Sequence, residues 1–311
     1  MLIVIVGPTA SGKSALSVRL AKKFGGEIIS ADSRQVYKGL NIGTGKITQK
    51  EMMGIPHHLL DVASPKKRFT VSQYQKLARK AIEDIQKRNN VPFLVGGSPL
   101  YIYAVADGWV LPEVPPNPKL REKLEKLTAT ELFLRLKKLD PKRASTIEQK
   151  NKRRLIRALE IVFTTGKPVP PLVKNNITTI PWYGSDVLFI GVKRSSQELK
   201  KRIRKRITAM FKQGLVQEVR KLRSSGLSWQ RIEELGFEYR LVASYLREVQ
   251  KVPTLARVAR VGTLQEELKA KIQKATEDFA RRQMTWFKKD QRIHWIKTSN
   301  EAEKTVLKFV K

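Results

Sequence analysis

One segment near the start of the chain constrains the fold more than any other. It follows the continuous apolar run Leu2–Val6 and satisfies the pattern G-x-x-x-x-G-K-S/T. Beyond it, Leu16, Leu20 and Phe24 recur at helical spacing. A strand without polar alternation, a glycine-rich loop and a helix, in this order, predict an α/β protein whose first strand is buried in a parallel sheet.

The chemistry expected of this loop is phosphate binding. Its glycines let successive backbone N–H groups face an anion, and the start of the following helix adds its dipole. Lys13 can reach phosphate oxygens, and the Ser14 hydroxyl can bind Mg²⁺. An ordinary glycine-rich turn is the alternative, and the flanking strand and helix argue against it. The predicted diphosphate- or nucleotide-binding residues are Gly7, Pro8, Thr9, Ala10, Ser11, Gly12, Lys13 and Ser14.

Two further predicted strands end at polar side chains. The strand 27–30 leads into Asp32, and the strand 92–95 leads through two glycines into Ser98. Open α/β sheets bind their ligands at such carboxyl ends of strands. Asp32 can therefore hold Mg²⁺ through water or accept a proton, and the Ser98 hydroxyl can face a phosphate. An Asx turn or a helix cap explains Asp32 equally well, and a simple turn explains Ser98.

The middle of the chain changes from sheet to helix. Residues 112–118 contain four prolines and cannot continue a helix or a central strand. Helical periodicity follows, until sheet character returns at 187–192. We therefore predict a P-loop parallel-sheet core in two parts, 1–112 and a mostly helical 176–311, with a helical insertion domain at 113–175.

The net charge points to a polyanionic partner. The chain has 62 Lys and Arg residues against 28 Asp and Glu residues, a formal net charge of +34. A charge of this size favours nucleic acid as the partner, with a lysine-rich proteome as the alternative. Because there is no cysteine, disulfides, thiol catalysis and cysteine-bound zinc are excluded, and a reducing cytoplasm is expected. No apolar run approaches the roughly 20 residues of a membrane-spanning helix, so we expect no membrane contact. We also expect a monomer.

Several short motifs along the chain occur together in one known family. They are Gly7–Ser14, Ile29-Ser-Ala-Asp-Ser33, Val36-Tyr-Lys-Gly-Leu40, Ile42-Gly-Thr44, Pro56-His-His-Leu-Leu-Asp61, Leu94-Val-Gly-Gly97, Arg157-Ala-Leu-Glu160 and Arg282-Gln-Met-Thr-Trp286. In this order, and over nearly the whole chain, they resemble the bacterial tRNA dimethylallyltransferases, the tRNA isopentenyltransferase family. Two departures are Ser98, where the family usually has threonine, and the acids of residues 233–240, where the family tends to be basic.

The resemblance implies an activity and a set of catalytic residues. Members transfer a dimethylallyl group from dimethylallyl diphosphate to N6 of adenosine-37 in tRNA and release diphosphate. The phosphate loop, which is also a common ATP-binding motif, would then hold the diphosphate together with Mg²⁺. The resemblance implies that Asp32 is the general base toward N6, and that Lys13, Ser98 and Arg206 neutralise the departing diphosphate. It also implies that the adenosine is flipped out of its stack.

The resemblance further implies which residues contact the anticodon stem-loop of the tRNA. Most of them lie in three stretches, 32–35, 153–157 and 281–288. The implied tRNA-binding residues are Asp32, Ser33, Arg34, Gln35, Ser98, Arg121, Arg153, Arg154, Leu155, Ile156, Arg157, Arg281, Arg282, Gln283, Trp286 and Lys288. Apart from the resemblance, tryptophans are more typical of a protein core than of a stacking surface. We therefore interpret Trp286 as a core residue.

Two other functions fit part of the sequence. A P-loop kinase of a small metabolite or nucleotide shares the loop, the Mg²⁺ and the fold, but it needs neither a basic helical insertion nor a net charge of +34. A non-catalytic RNA-binding ATPase explains the charge, but it does not explain Asp32 and Ser98 at the ends of strands.

Overall fold

A parallel sheet of six strands lies at the centre of the larger part of the molecule. The structure, a computed structural model, describes residues 1–170, 187–251 and 257–310. The strands are β1 (Leu2–Val6), β2 (Gly26–Ala31), β3 (His57–His58), β4 (Val91–Gly96), β5 (Val187–Val192) and β6 (Ile293–Ile296). Their order is β3-β2-β4-β1-β5-β6, and each adjacent pair is parallel. The predicted α/β parallel-sheet fold is thereby confirmed.

Helices connect the strands and make up most of the rest of the described chain. Several begin where the sequence offers a capping box; Thr70 and Gln73, for example, exchange hydrogen bonds at the start of the third helix. The helices are α1 (Lys13–Lys23), α2 (Gln49–Met52), α3 (Val71–Lys87), α4 (Pro99–Ala106), α5 (Pro118–Glu125), α6 (Ala129–Leu139), α7 (Pro141–Thr146), α8 (Lys152–Thr165), α9 (Ser196–Gln213), α10 (Leu215–Ser224), α11 (Trp229–Glu234), α12 (Phe237–Gln250), α13 (Arg257–Phe287) and α14 (Ser299–Val310). Within the described ranges, none of them has the length and apolar character to cross a membrane.

The central strand explains why the first apolar run is uninterrupted. β1 pairs with β4 on one side and with β5 on the other, and all five of its residues are fully buried. A strand in this position has no face toward water, so it carries no polar alternation. Its register with β4 brings Val6 beside Gly96, which places the phosphate loop next to the end of β4.

The two edge strands are absent from the sequence prediction. β3 contains only two residues, and one of them, His58, bonds through Nε2 to Glu27 Oε2 of β2 at 2.6 Å. β6 has the sequence Ile-His-Trp-Ile. A pattern of only four residues, one of them polar, is too short to predict a strand. Edge strands are short and mixed in polarity because only part of each strand is covered.

The chain forms two compact units. One comprises Met1–Asp107 with Ile177–Lys311, and the other comprises Gly108–Asn176. The second unit is helical in its described residues and has a hydrophobic core of its own, to which Leu132, Leu155 and Leu159 contribute fully buried side chains. Because each unit buries its own apolar residues, each has its own source of stability.

Candidate active site

The phosphate loop turns sharply between β1 and α1. Gly12, immediately before α1, has φ +92°, a left-handed conformation that a side chain would strain. Lys13 and Ser14 are the first two residues of α1, and no acid occupies its first turn. The unpaired N–H groups at the start of this helix and the positive end of its dipole therefore favour an anion at this point.

Lys13 is held inside the loop rather than in solvent. Its ammonium group donates a hydrogen bond to the Pro8 carbonyl at 3.3 Å. Burial lowers the pKa of Lys13 from 10.5 to about 8, Asp32 partly offsets this effect, and the charge of Arg206 adds to it. A bound anion would raise the pKa of Lys13 again, because it stabilises the charged ammonium group.

A small cavity brings the phosphate loop together with the ends of β2 and β4. It has a volume of about 60 Å³, and three of the four predicted catalytic residues line it: Lys13, Asp32 and Arg206. The fourth, Ser98, lies beyond its walls. The other lining residues are Thr9, Ser14, Gln35, Thr44, Gly45, Val95, Gly96, Phe279 and Gln283. Two cations and a carboxylate therefore share one enclosed space.

A larger basic cleft borders this cavity. It has a volume of about 1040 Å³ and shares four lining residues with the cavity: Lys13, Ser14, Gly45 and Arg206. Among its lining residues Glu51 is the single acid. The cations that line it are Lys13, Arg19, Lys22, Lys23, Lys50, Arg202, Lys205 and Arg206. A cleft of one charge sign concentrates anions and guides them toward the phosphate loop.

The carboxylate of Asp32 uses one oxygen for local structure. Oδ1 accepts hydrogen bonds from the backbone N–H of Arg34 at 2.8 Å and of Gln35 at 3.4 Å, which is an Asx turn. Oδ2 has no hydrogen-bond partner within residues 1–170, 187–251 and 257–310. The turn proposed as the alternative for Asp32 is thus present, and it leaves the second oxygen available to a ligand.

Ser98 connects the ends of two neighbouring strands. Its hydroxyl oxygen accepts a hydrogen bond from the Ser33 N–H at 3.2 Å, and its own N–H donates to the Ala31 carbonyl at 3.4 Å. The strands approach so closely that a Cβ on Gly96 would lie 2.0 Å from the Ala31 carbonyl oxygen. Ser98 therefore helps to fix the segment that carries Asp32.

Arg206 reaches the cavity from α9. Its guanidinium donates one hydrogen bond to Thr9 Oγ1 of the phosphate loop at 3.2 Å and another to the Thr44 carbonyl at 2.9 Å. α9 is strongly basic, and its buried face consists of Ile203, Ile207 and Met210. Packing of that apolar face turns Arg206 toward the phosphate loop.

The buried amide of Gln283 supports the phosphate loop. Its Oε1 accepts from the Thr9 N–H at 2.8 Å, and its Nε2 donates to the Gly97 carbonyl at 2.5 Å. The side chain is 3% exposed, although it lines the cavity. Both ends of its amide are bonded to the protein backbone, so the structure gives Gln283 a supporting role, and its contact with tRNA stays a prediction.

The other predicted tRNA-binding residues of this stretch lie on the surface of α13 and just after it. Trp286 is 43% exposed, so its interpretation as a core residue is wrong. The side chain of Arg281 is 77% exposed and pairs with Asp278, while Arg282 and Lys288 are exposed as well. An exposed indole ring among cations is suited to contact nucleic acid through stacking and charge.

Arg34 contacts the acidic end of α11 directly. The Arg34 guanidinium donates to the Glu234 carbonyl at 2.9 Å. The Glu234 carboxylate pairs with Arg68 and with Arg231, and Glu233 pairs with Arg247. These acids are thus neutralised within the protein, and the departure from the basic family pattern leaves no exposed negative patch at Glu233 and Glu234.

Within the helical unit, the predicted tRNA-binding residues fall into three groups. Arg153 and Arg154 are exposed at the start of α8. Arg121 and Arg157 both donate to the fully buried Glu160 carboxylate at 2.6 Å. The predicted RNA contact is corrected for two positions whose side chains are buried in the core of this unit, Leu155 and Ile156.

Glu238 belongs to the acidic segment 233–240, and its charge interacts with the site although it lines neither cavity. It lies at the start of α12, and burial raises its pKa from 4.5 to about 7, against a hydrogen bond from its own N–H and the charge of Arg206. The charge of Asp32 raises its pKa as well. The sequence gives no signal of this interaction, since only the fold brings Glu238 near Asp32 and Arg206.

The donor atoms of the site suit a Mg²⁺ ion that arrives with a phosphate ligand. Among the described residues, no group of three or more His, Asp or Glu side chains could hold a metal by itself. The cavity nevertheless offers the Ser14 hydroxyl and the Asp32 carboxylate. Mg²⁺ commonly keeps several waters and uses one or two protein oxygens together with substrate phosphates, so these two donors fit it.

The fold and the site define a P-loop type of α/β protein, with a phosphate-binding loop and a carboxylate around one cavity. The family model described as IPP transferase matches residues 35–290. The chain belongs to the IPP transferase family. The match covers most of the chain, although it begins after the phosphate loop and Asp32.

Individual relatives extend the similarity to nearly the full length. A tRNA dimethylallyltransferase of Roseiflexus sp. (strain RS-1) is 42% identical over 292 residues, covering 93% of this chain and 90% of the relative. That of Anoxybacillus flavithermus is 38% identical over 302 residues, covering 97% and 91%. The crystal structure of a tRNA isopentenylpyrophosphate transferase from Bacillus halodurans matches with a TM-score of 0.68 at 34% identity, over 99% of this chain and 95% of the other. A eukaryotic dimethylallyltransferase acting on tRNA matches with a TM-score of 0.74 at 25% identity, over 99% and 77%.

Proposed function

We propose that the chain transfers a dimethylallyl group from dimethylallyl diphosphate to N6 of adenosine-37 in tRNA. The observation that carries this proposal is the cavity in which Lys13 and Arg206 share one space with Asp32. A leaving diphosphate needs cations, and a weakly nucleophilic amine needs a base. Relatives named for this activity, at 37–42% identity, support the same conclusion.

The transfer is a substitution at the first carbon of the dimethylallyl group. The lone pair of N6 forms the new nitrogen–carbon bond while the carbon–oxygen bond to the diphosphate breaks, and the electron pair of that bond leaves with the diphosphate oxygen. The proton lost from N6 passes to Oδ2 of Asp32, the oxygen that the Asx turn leaves available. Because the N6 lone pair is delocalised into the adenine ring, removal of this proton is what makes it an effective nucleophile.

The phosphate loop and two cations hold the diphosphate as negative charge develops on it. Backbone N–H groups at the start of α1 and the Lys13 ammonium group face it from the loop, and Arg206 faces it from α9. Ser98, outside the cavity, contributes by fixing the segment that carries Asp32. Groups that are already oriented toward the developing charge lower the barrier without reorganising during the reaction. Mg²⁺, held by the diphosphate and the Ser14 hydroxyl, would supply further charge neutralisation.

We assign tRNA binding to the exposed basic residues of the predicted stretches. Arg153 and Arg154 in the helical unit, and Arg282, Trp286 and Lys288 in the larger unit, are accessible to RNA. We also assign contacts with the flipped adenosine to Ser33 and Arg34, which follow Asp32 in the chain. The absence of cysteine fits a cytoplasmic enzyme, and a monomer remains our expectation.

The test is the transfer of radiolabel from dimethylallyl diphosphate to tRNA in the absence of ATP. We expect labelled tRNA with wild-type protein and with Lys76→Ala, which alters an exposed lysine of α3, and a large loss with Lys13→Ala. Phosphate transfer that requires ATP, with no label in tRNA, would instead indicate the kinase. Binding of tRNA and hydrolysis of ATP without label transfer would indicate an RNA-binding ATPase.

A further inference from the structure

The loop formed by residues 40–46 contacts the guanidinium group of Arg206 and helps to hold it in place. Arg206 Nη2 donates to the Thr44 carbonyl at 2.9 Å, and an added Cβ on Gly45 would lie 2.4 Å from the same nitrogen. Gln35 Nε2 also donates to the Thr44 carbonyl, at 3.4 Å. Within the described part of the chain, Arg206 forms no ion pair with an acid. The backbone of this loop therefore sets the position of its charge.

One buried carboxylate holds the 40–46 loop in place. Glu218 of α10 accepts hydrogen bonds from three successive backbone N–H groups: those of Asn41 at 2.9 Å and Ile42 at 2.7 Å to Oε2, and that of Gly43 at 3.0 Å to Oε1. The Tyr239 hydroxyl donates to Oε1 at 2.8 Å. The ring of Tyr239 also covers Gly43, where a Cβ would lie 2.7 Å from Cζ.

We propose that Glu218 is a positioning residue for the transfer reaction. By fixing the 40–46 loop, it holds the Thr44 carbonyl and therefore the Arg206 guanidinium in the place where the diphosphate departs. Glu218 does not line the cavity, so it acts only through this loop. This inference rests on the proposed function, because the reaction that Glu218 supports is the proposed dimethylallyl transfer. A misplacement of about 1 Å in a catalytic group can cost about 10²-fold in rate, so such a support is important to catalysis.

Glu218→Gln tests the support with little change in side-chain size. Glutamine places an NH₂ donor where a carboxylate oxygen now accepts, so at least one of the three N–H groups loses its acceptor. We expect the rate of transfer at saturating substrates to fall by about 10²-fold. Inorganic diphosphate, measured by calorimetry, should bind about tenfold more weakly, as expected when a charge-assisted contact is lost. The Kd for tRNA should stay the same.

Glu27→Gln is the matched control. Glu27 is also a buried carboxylate, near the start of β2, and it accepts hydrogen bonds from His58, Arg88 and Asn90. Its substitution should lower the Tm, but it should leave the transfer rate and diphosphate binding at wild-type values. Tyr239→Phe is the second variant. It removes one donor to Glu218 while the three N–H bonds remain, and it should cause a smaller loss in the same direction.

A double-variant cycle separates positioning from a general effect on the fold. If Glu218 acts through Arg206, Glu218→Gln should cause no further loss of rate in an Arg206→Ala background. The inference would be overturned if the fold-loss of rate in the double variant equalled the product of the two single losses. Wild-type rates in both Glu218→Gln and Tyr239→Phe would overturn it as well. If wild-type protein binds diphosphate but transfers no label to tRNA, the proposed function fails. In that case a selective weakening of diphosphate binding in Glu218→Gln would still support the role of Glu218.

Discussion

Asp32 illustrates how one side chain can have a structural and a chemical role at the same time. Oδ1 is bonded to the Arg34 and Gln35 N–H groups, and an asparagine would keep that acceptor. We therefore expect Asp32→Asn to fold with the wild-type Tm and to bind tRNA normally. Its turnover should fall by roughly 10²–10⁴-fold, since an amide is a far weaker base. Normal turnover of this variant at saturating substrates would contradict the general-base role.

Lys13 gives the reaction a dependence on pH. Because burial lowers its pKa to about 8, the ammonium form predominates below that pH and is lost above it in the free enzyme. We expect kcat/KM for dimethylallyl diphosphate to be level below pH 8 and to fall above it, by about tenfold per pH unit. Lys13→Arg keeps its charge, so its decline should begin at a higher pH. An identical decline in the variant would show that another group titrates.

Among the helices, α13 has a direct effect on the phosphate loop. Gln283→Ala would leave the half-buried Thr9 N–H without its acceptor, a change that costs about 1 kcal/mol. We expect the KM for dimethylallyl diphosphate to rise about tenfold, with a smaller effect on tRNA binding. Thr285→Ala, an exposed position on the same helix, is the control and should behave as wild type. Equal losses in both variants would indicate a general weakening of α13.

In the helical unit, α8 depends on a buried charge. Burial opposes ionisation of Glu160, but hydrogen bonds from Arg121, the Asn117 N–H and Arg157 outweigh it and hold the carboxyl pKa below 4.5. The stabilisation is therefore present above pH 4.5 and is lost as the pH falls through the lowered value. Glu160→Gln should destabilise this unit by about 1–3 kcal/mol at neutral pH, and by less in acid. Hydrogen exchange of the backbone amides in the helical unit measures this loss of stability. Glu148→Gln, at an exposed position, is the control and should exchange like wild type.

The elements and the site could be predicted to different extents. The strand, loop and helix around Lys13 form within about 20 residues, so local pattern and turn chemistry were sufficient to predict them. Asp32 was found because it follows a buried strand. Gln283 and Thr9 are 274 residues apart in sequence, and Glu218 is 175 residues from Gly43. Such pairs have no local signature, because their partners meet only after the sheet and the helices have packed.

At the scale of the whole molecule, the net charge of +34 should dominate the affinity for tRNA. Each phosphate that a cation neutralises releases counterions, so log affinity should fall linearly with log salt, by about 0.7–0.9 per phosphate contacted. Arg154→Ala and Lys288→Ala should each weaken binding for every tRNA tested and reduce the slope by about 1. Lys76→Ala, an exposed lysine outside the predicted stretches, should leave the slope unchanged. Binding titrations across a salt series give all these slopes, and an affinity independent of salt would contradict the assignment of the basic residues to tRNA.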